Sequence, residues 1–159
     1  MATQGKPVPA TWLQKAANRV VNFLVDKLGL NLKGAMVLEV RGRTSGQPHR
    51  VPVNPVTVDG TMYLFAPRGE TAWVKNIRVS REAILHRGRK ATQFGAEEVL
   101  DDAKLPILRA YLDRWHWQVS SQVGVPKDAT DDQLRQIAPN HPVFRLLQAQ
   151  AFVKPAESA

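Results

Sequence analysis

The chain has 159 residues, 43% apolar and 23% charged, which suffices for one domain with a hydrophobic core and is too little for two comfortable ones. A net charge of +8 implies an anionic partner, whether nucleic acid, a membrane surface or a small polyanionic ligand. The absence of cysteine excludes a disulfide framework, a thiol nucleophile and a Cys-based metal site, and no run approaches the roughly 18 apolar residues of a membrane span, so a soluble, cytoplasmic protein is expected.

Residues 1–9 read as a polar arm. A helix is predicted from Thr11, with Trp12, Leu13, Ala16, Ala17, Val20, Val21, Leu24 and Leu28 recurring at steps of three and four and Gly29 as its stop. Its apolar face either lies on the core or, with Lys15, Arg19 and Lys27 opposite, touches a membrane surface, and the pattern does not separate the two.

Residues 35–40 form an apolar run of strand length, after which Arg41, Gly42, Arg43, Thr44, Ser45, Gly46, Gln47, Pro48, His49 and Arg50 make a basic, glycine-punctuated turn. Guanidiniums can fork onto phosphate oxygens, and glycines let backbone N–H groups approach the same anion. A solvated hairpin tip is the plainer reading. Residues 51–58 continue as a strand in which Pro52 and Pro55 suggest an edge or a bulge. Asp59-Gly60 is a hairpin signal that joins it to residues 61–66. A second hairpin is predicted from residues 82–86, a turn at residues 87–89, and residues 91–100.

Between the hairpins, Arg68-Gly69 can bring a second basic donor and an exposed N–H to an anion, and Thr71 is placed to cap a short helix carrying Trp73, Asn76 and Ile77 on one face. Asp102 is expected to cap a later helix, whose stripe of Leu108, Tyr111, Leu112, Trp115 and Val119 reads as core and leaves Trp117 displaced from it. Residues 124–140 look irregular with one short helix after Thr130, residues 141–147 read as a closing strand, and residues 149–159 as a tail. His49, His86, His116 and His141 are scattered without metal or nucleophile spacing, and Asp101-Asp102 and Asp131-Asp132 resemble helix-start charges. Four or five antiparallel strands without βα alternation indicate an α+β, barrel-like single domain over residues 1–159.

The ordered set of an N-terminal helix, a strand ending in G-R-x-S-G-x-x-R, a D-G hairpin, Ala66-Pro67-Arg68-Gly69 followed by Trp73 and Asn76, and a late Pro-Val-Phe-Arg strand resembles the deazaflavin (coenzyme F420)-dependent nitroreductase and quinone reductase family across residues 11–148. The resemblance implies a split β-barrel related to flavin-binding barrels, with reduced F420 as hydride donor to a quinone, a nitroaromatic or an activated alkene. It implicates Arg43, Thr44, Ser45, Gly46 and Arg50 with the coenzyme phosphate, Ala66, Pro67, Arg68 and Gly69 with the ring system and acidic tail, and Trp73 and Asn76 with the pocket helix. Nitroreductase members place several tyrosines late in the chain, where this one has Trp115, His116, Trp117 and Gln118. Trp117 and Gln118 are therefore the candidate acceptor contacts.

A deazaflavin carries its own redox centre, so the protein needs only to hold the ring and neutralise its anionic groups. Two other readings stay open. The same clamp would serve FMN, and a basic barrel could instead bind nucleic acid through Arg41, Arg43, Arg50, Arg87, Arg89 and Lys90, with Trp73 or Trp117 stacking on bases. The sequence does not separate monomer from homodimer.

Overall fold

The computed structural model describes residues 36–88 and 90–148, and the helix expected from Thr11, the first nine residues and the C-terminal tail lie outside them. Among the described residues there are seven strands: β1 (Met36–Arg41), β2 (Pro48–Val53), β3 (Val56–Val58), β4 (Thr61–Phe65), β5 (Glu82–Arg87), β6 (Lys90–Glu98) and β7 (Val143–Gln148). They form one antiparallel sheet in the order β2-β1-β5-β6-β7-β4-β3. The helices among the described residues are α1 (Ala72–Ser80), α2 (Leu105–Val123) and α3 (Asp131–Ile137). None is long and apolar enough to cross a membrane.

The run expected as a single strand over residues 51–58 breaks at Asn54-Pro55, and its halves become β2 and β3, the two edges of the sheet. Proline cannot donate to a ladder, which confines such segments to edges. Because Val53 and Val56 are three Cα steps apart, the edges stay within about 11 Å of each other at that point. A seven-stranded sheet meets that condition only by curling on itself, and the architecture is accordingly an α+β split barrel.

Two hairpins form on their turn chemistry. Asp59 and Gly60 both adopt positive φ, 50° and 79°, and leave Val58 opposite Thr61, the backbone twist that a two-residue hairpin demands. Arg87 lies opposite Lys90, with Gly88 at φ 59° in the turn between them. The closing strand expected over residues 141–147 is β7, an interior strand of the sheet between β6 and β4.

Alternation along the strands sorts the core into two clusters. Leu64 and Phe144 lie opposite one another in the cluster with Leu38, Val40, Leu85, Val74 and Ile77, which α1 covers. The neighbouring pair, Phe65 and Val143, faces the other way into a cluster with Leu108, Tyr111, Leu112 and Trp115, covered by α2. Each such fully buried side chain contributes roughly 1.5–3 kcal/mol.

Two expected helix starts differ in detail. Thr71 occupies the N-cap position of α1, but its hydroxyl makes no capping bond and Oγ1 is buried without a partner. Asp102 does not cap α2: residues Asp101–Ala103 form a single 3-10 turn, and Lys104 takes the position before the helix. Lys104 is almost wholly buried and donates through Nζ to the Ala138 carbonyl at 2.8 Å and to Asp101 at 2.7 Å, an anchoring that brings in Asp101 and leaves Asp102 outside. The short helix after Thr130 is α3, opened by a reciprocal Thr130–Gln133 capping box.

Candidate active site

The turn between β1 and β2 is built around Gly42. A Cβ there would stand 2.8 Å from His49 Nε2 and 2.9 Å from Ser45 Oγ, so these two side chains close over the backbone only because the residue is glycine. Gly42 N–H donates to Gln47 O at 2.8 Å, Gly46 N–H to Gly42 O at 3.0 Å, and Gln47 N–H to Ser45 Oγ at 3.2 Å. Gly46 takes φ 70° in open space. The N–H groups of Thr44 and Ser45, both exposed residues, have no acceptor among the described residues. Two successive free N–H groups beside arginine are a donor set suited to phosphate.

Arg43 ties this turn to α1. Its backbone N–H and its Nη1 both donate to Oδ1 of Asn76, at 3.2 and 2.8 Å, across 33 residues of sequence. Asn76 is buried, and Trp73, one turn earlier on the helix, is half-buried with its ring centroid 5.8 Å from that of Phe144. Of the sequence-predicted residues, Arg43 and Asn76 are thus brought into contact.

The segment Ala66, Pro67, Arg68, Gly69 leads from β4 towards α1 and is held from behind by the residues that precede β7. Ala66 N–H donates to Pro142 O at 3.0 Å, and His141 Nδ1 bonds Ala66 O at 3.0 Å while its ring stacks on Phe65 at 5.3 Å. Gly69 adopts φ 74°, and a Cβ there would lie 2.9 Å from Asn140 O. Burial pushes the His141 imidazole below its ordinary value, against the opposing pull of the Ala66 carbonyl, and nearby Lys104 adds to the lowering. Arg68 is exposed, so its guanidinium is open to a ligand.

Arg50 stands opposite Glu39 in the β1–β2 register and donates through Nε to Glu39 Oε2 at 2.8 Å. His86 Nε2 reaches the same oxygen at 2.9 Å. Burial raises the Glu39 carboxyl, but the bonds from Arg50 and His86 outweigh it and hold the group below its ordinary value. Arg50 therefore belongs to a cross-strand cluster distinct from the Arg43–Asn76 contact, with its side chain about half exposed.

The candidate acceptor residues lie on α2. Trp115 is 7% exposed and belongs to the core, whereas Trp117 is 60% exposed. Gln118 accepts from Asn54 Nδ2 at 2.8 Å, a tie between α2 and the β2–β3 connection. Burial drives the phenol of Tyr111 far above its ordinary range, against a smaller opposing pull from nearby Asn54. Tyr111 is thus fixed as a neutral core group.

Glu39, Asn54 and Asn140 support these elements without having been singled out from sequence, and His141, noted there only for lacking metal or nucleophile spacing, joins them. Glu39 carried one signal, as the sole acid in the apolar run of β1; the others depend on contacts between distant residues. Among the described residues no cluster of His, Asp and Glu could hold a metal ion.

The family model described as F420H(2)-dependent quinone reductase matches residues 12–130. No curated protein matches the sequence. The fold is similar to that of an F420-H2 dependent reductase, FDR-A, with TM-score 0.51 and 16% identity over 72% of this chain and 94% of that one. It is also similar to the conserved hypothetical protein Rv2991 from Mycobacterium tuberculosis, with TM-score 0.50 and 16% identity over 80% of this chain and 79% of that one. A third similar structure, Atu2129 from Agrobacterium tumefaciens, has TM-score 0.50 and 17% identity over 71% of this chain; the chain spans 47% of its length.

Proposed function

The chain belongs to the F420H(2)-dependent quinone reductase family, and from that premise we propose that it reduces a small organic acceptor, a quinone, nitroaromatic or activated alkene, at the expense of reduced coenzyme F420. When bound, the deazaflavin supplies the hydride. The protein's own work is to bind, orient and shield. Arg43, with the Thr44 and Ser45 N–H groups and the Gly46 bend, holds the phosphate, and Arg50 adds charge from the neighbouring strand. Ala66, Pro67 and Gly69 carry the ring, Arg68 meets the acidic tail, and Trp73 and Asn76 line the helix beside it. Trp117 and Gln118 face the acceptor.

The observation that supports this reading best is the contact of Arg43 with Asn76, since it sets the anion-binding turn against the helix that follows the ring segment. FMN would need the same turn, and the family match favours the deazaflavin. Two copies of the chain completing one site, and a membrane contact through residues 11–28, belong to the same proposal.

Fluorescence titration with oxidised F420, beside FMN and a single-stranded oligonucleotide, tests the ligand, and absorbance decay of reduced F420 with a quinone, a nitroaromatic and an enone tests the reaction. Tight binding of F420 alone, with turnover of at least one acceptor, is the expected result. Preference for FMN or for the oligonucleotide would overturn the assignment.

A further inference from the structure

We propose that Asn76 is a positioning residue: its carbonyl latches the β1–β2 turn onto α1, so that the turn and the segment Ala66, Pro67, Arg68, Gly69 meet one ligand as a single preorganised unit. The proposal rests on the coenzyme reading above. Asn76 is 4% exposed, and both groups that reach its Oδ1 are donors, which fixes the oxygen on the Arg43 side of the amide. An oxygen so placed is an acceptor and cannot serve a phosphate, which offers only acceptors of its own. Through this oxygen, Asn76 acts on a ligand by way of Arg43.

The two bonds do different things. The one from the Arg43 backbone, at 3.2 Å, fixes where the turn lies, and the one from Nη1, at 2.8 Å, fixes how the guanidinium points. With the Arg43 N–H consumed, the free pair at Thr44 and Ser45 is what the turn has left for an anion, and the latch sets its direction. α1 begins three residues after Gly69, so a displacement of Asn76 is also a displacement of the ring segment. Preorganising both ends of a ligand site lowers the ordering cost of binding.

Hydrogen exchange of the apo protein and fluorescence titration with oxidised F420 test the latch separately from the function. Asn76→Ala is expected to speed exchange at the bonded turn amides of Gly42, Arg43, Gly46 and Gln47 and to weaken F420 binding about tenfold, the loss of one charge-assisted bond. Asn76→Asp, which keeps the acceptor, is expected to restore slow exchange. Arg43→Ala breaks the 2.8 Å bond from an exposed side chain and leaves the core intact, so it keeps the test alive if Asn76→Ala fails to fold. The double variant should bind no more weakly than the worse single one. Unchanged exchange in Asn76→Ala, or additive losses of affinity, would overturn the latch. Wild-type protein that fails to bind F420 while its turn still loosens in Asn76→Ala would overturn the function and leave the latch standing.

Discussion

The α1 half and the α2 half of the molecule draw on the same two strands and do opposite jobs. β4 and β7 send Leu64 and Phe144 to one side and Phe65 and Val143 to the other. On the α2 side a nineteen-residue helix buries Leu108, Tyr111, Leu112 and Trp115, and its polar contacts, Gln118 with Asn54 and Trp115 Nε1 with Pro55 O, pin it to the β2–β3 connection. On the α1 side a nine-residue helix starts without a side-chain cap and spends its buried amide on a loop. Area stabilises the first half, and a few directed polar contacts shape the second. A fold can therefore separate the part that keeps it folded from the part that recognises a ligand, even when both share strands.

The comparison is broken most forcefully at Trp115. Trp115→Ala should cost about 3–5 kcal/mol, read as a lower denaturation midpoint, with F420 affinity of the folded protein retained. An equal loss of affinity would mean that the halves are not separable. Next comes Gly69→Ala, which combines a left-handed backbone with a 2.9 Å clash on Asn140 O, for about 2–4 kcal/mol. Gly46→Ala is the control: its φ is similar but its surroundings are open, so only the conformational cost of about 1–2 kcal/mol should appear in chemical denaturation.

Arg50→Ala should weaken F420 binding ten- to a hundredfold, about 1.5–3 kcal/mol for a charge-assisted contact, while stability changes by less than about 1 kcal/mol because the Arg50 side chain is half exposed and His86 still partners Glu39. Binding as tight as the parent's in a titration would remove Arg50 from the site. Trp117→Ala should raise KM for a flat acceptor by about 0.5–1.5 kcal/mol of lost stacking and leave the melting temperature in place. Untouched kinetics with every acceptor would detach Trp117 from function.

Acid supplies the gentlest probe. His141 is held below its ordinary value, so the unfolded chain takes up the proton first. Its contribution is complete above about 6.5 and is lost as pH falls through the lower folded value. Glu39, also lowered, contributes above about 4.5 and fails below it in the same direction. Denaturation followed from pH 7 down to about 2 should show two successive losses, and His141→Gln should abolish the first alone.

Local chemistry was legible and distant pairing was not. Asp59-Gly60, the stripe of α2 and the helix after Thr130 follow from residues within a few positions of each other, and sequence reasoning placed all three. Residues 51–58 read as one strand because both halves are apolar and the prolines mark an edge without saying which. The central place of β7 and the Arg43–Asn76 contact come from partners tens of residues away, for which one sequence holds no periodicity. At Trp115 and Trp117 helical geometry did separate a buried from an exposed ring, since two positions are about 200° apart around the axis.

The short Asn54-Pro55 link has one more effect, on how the molecule meets its neighbours. An open sheet edge invites strands of other chains, and long flat edges seed aggregation. Here the short link holds the two edges together at one end, Val53 to Val56. Pro48, Pro52 and Pro55 strip donors from the rims as well. At that end of the sheet a further strand finds few donors to pair with.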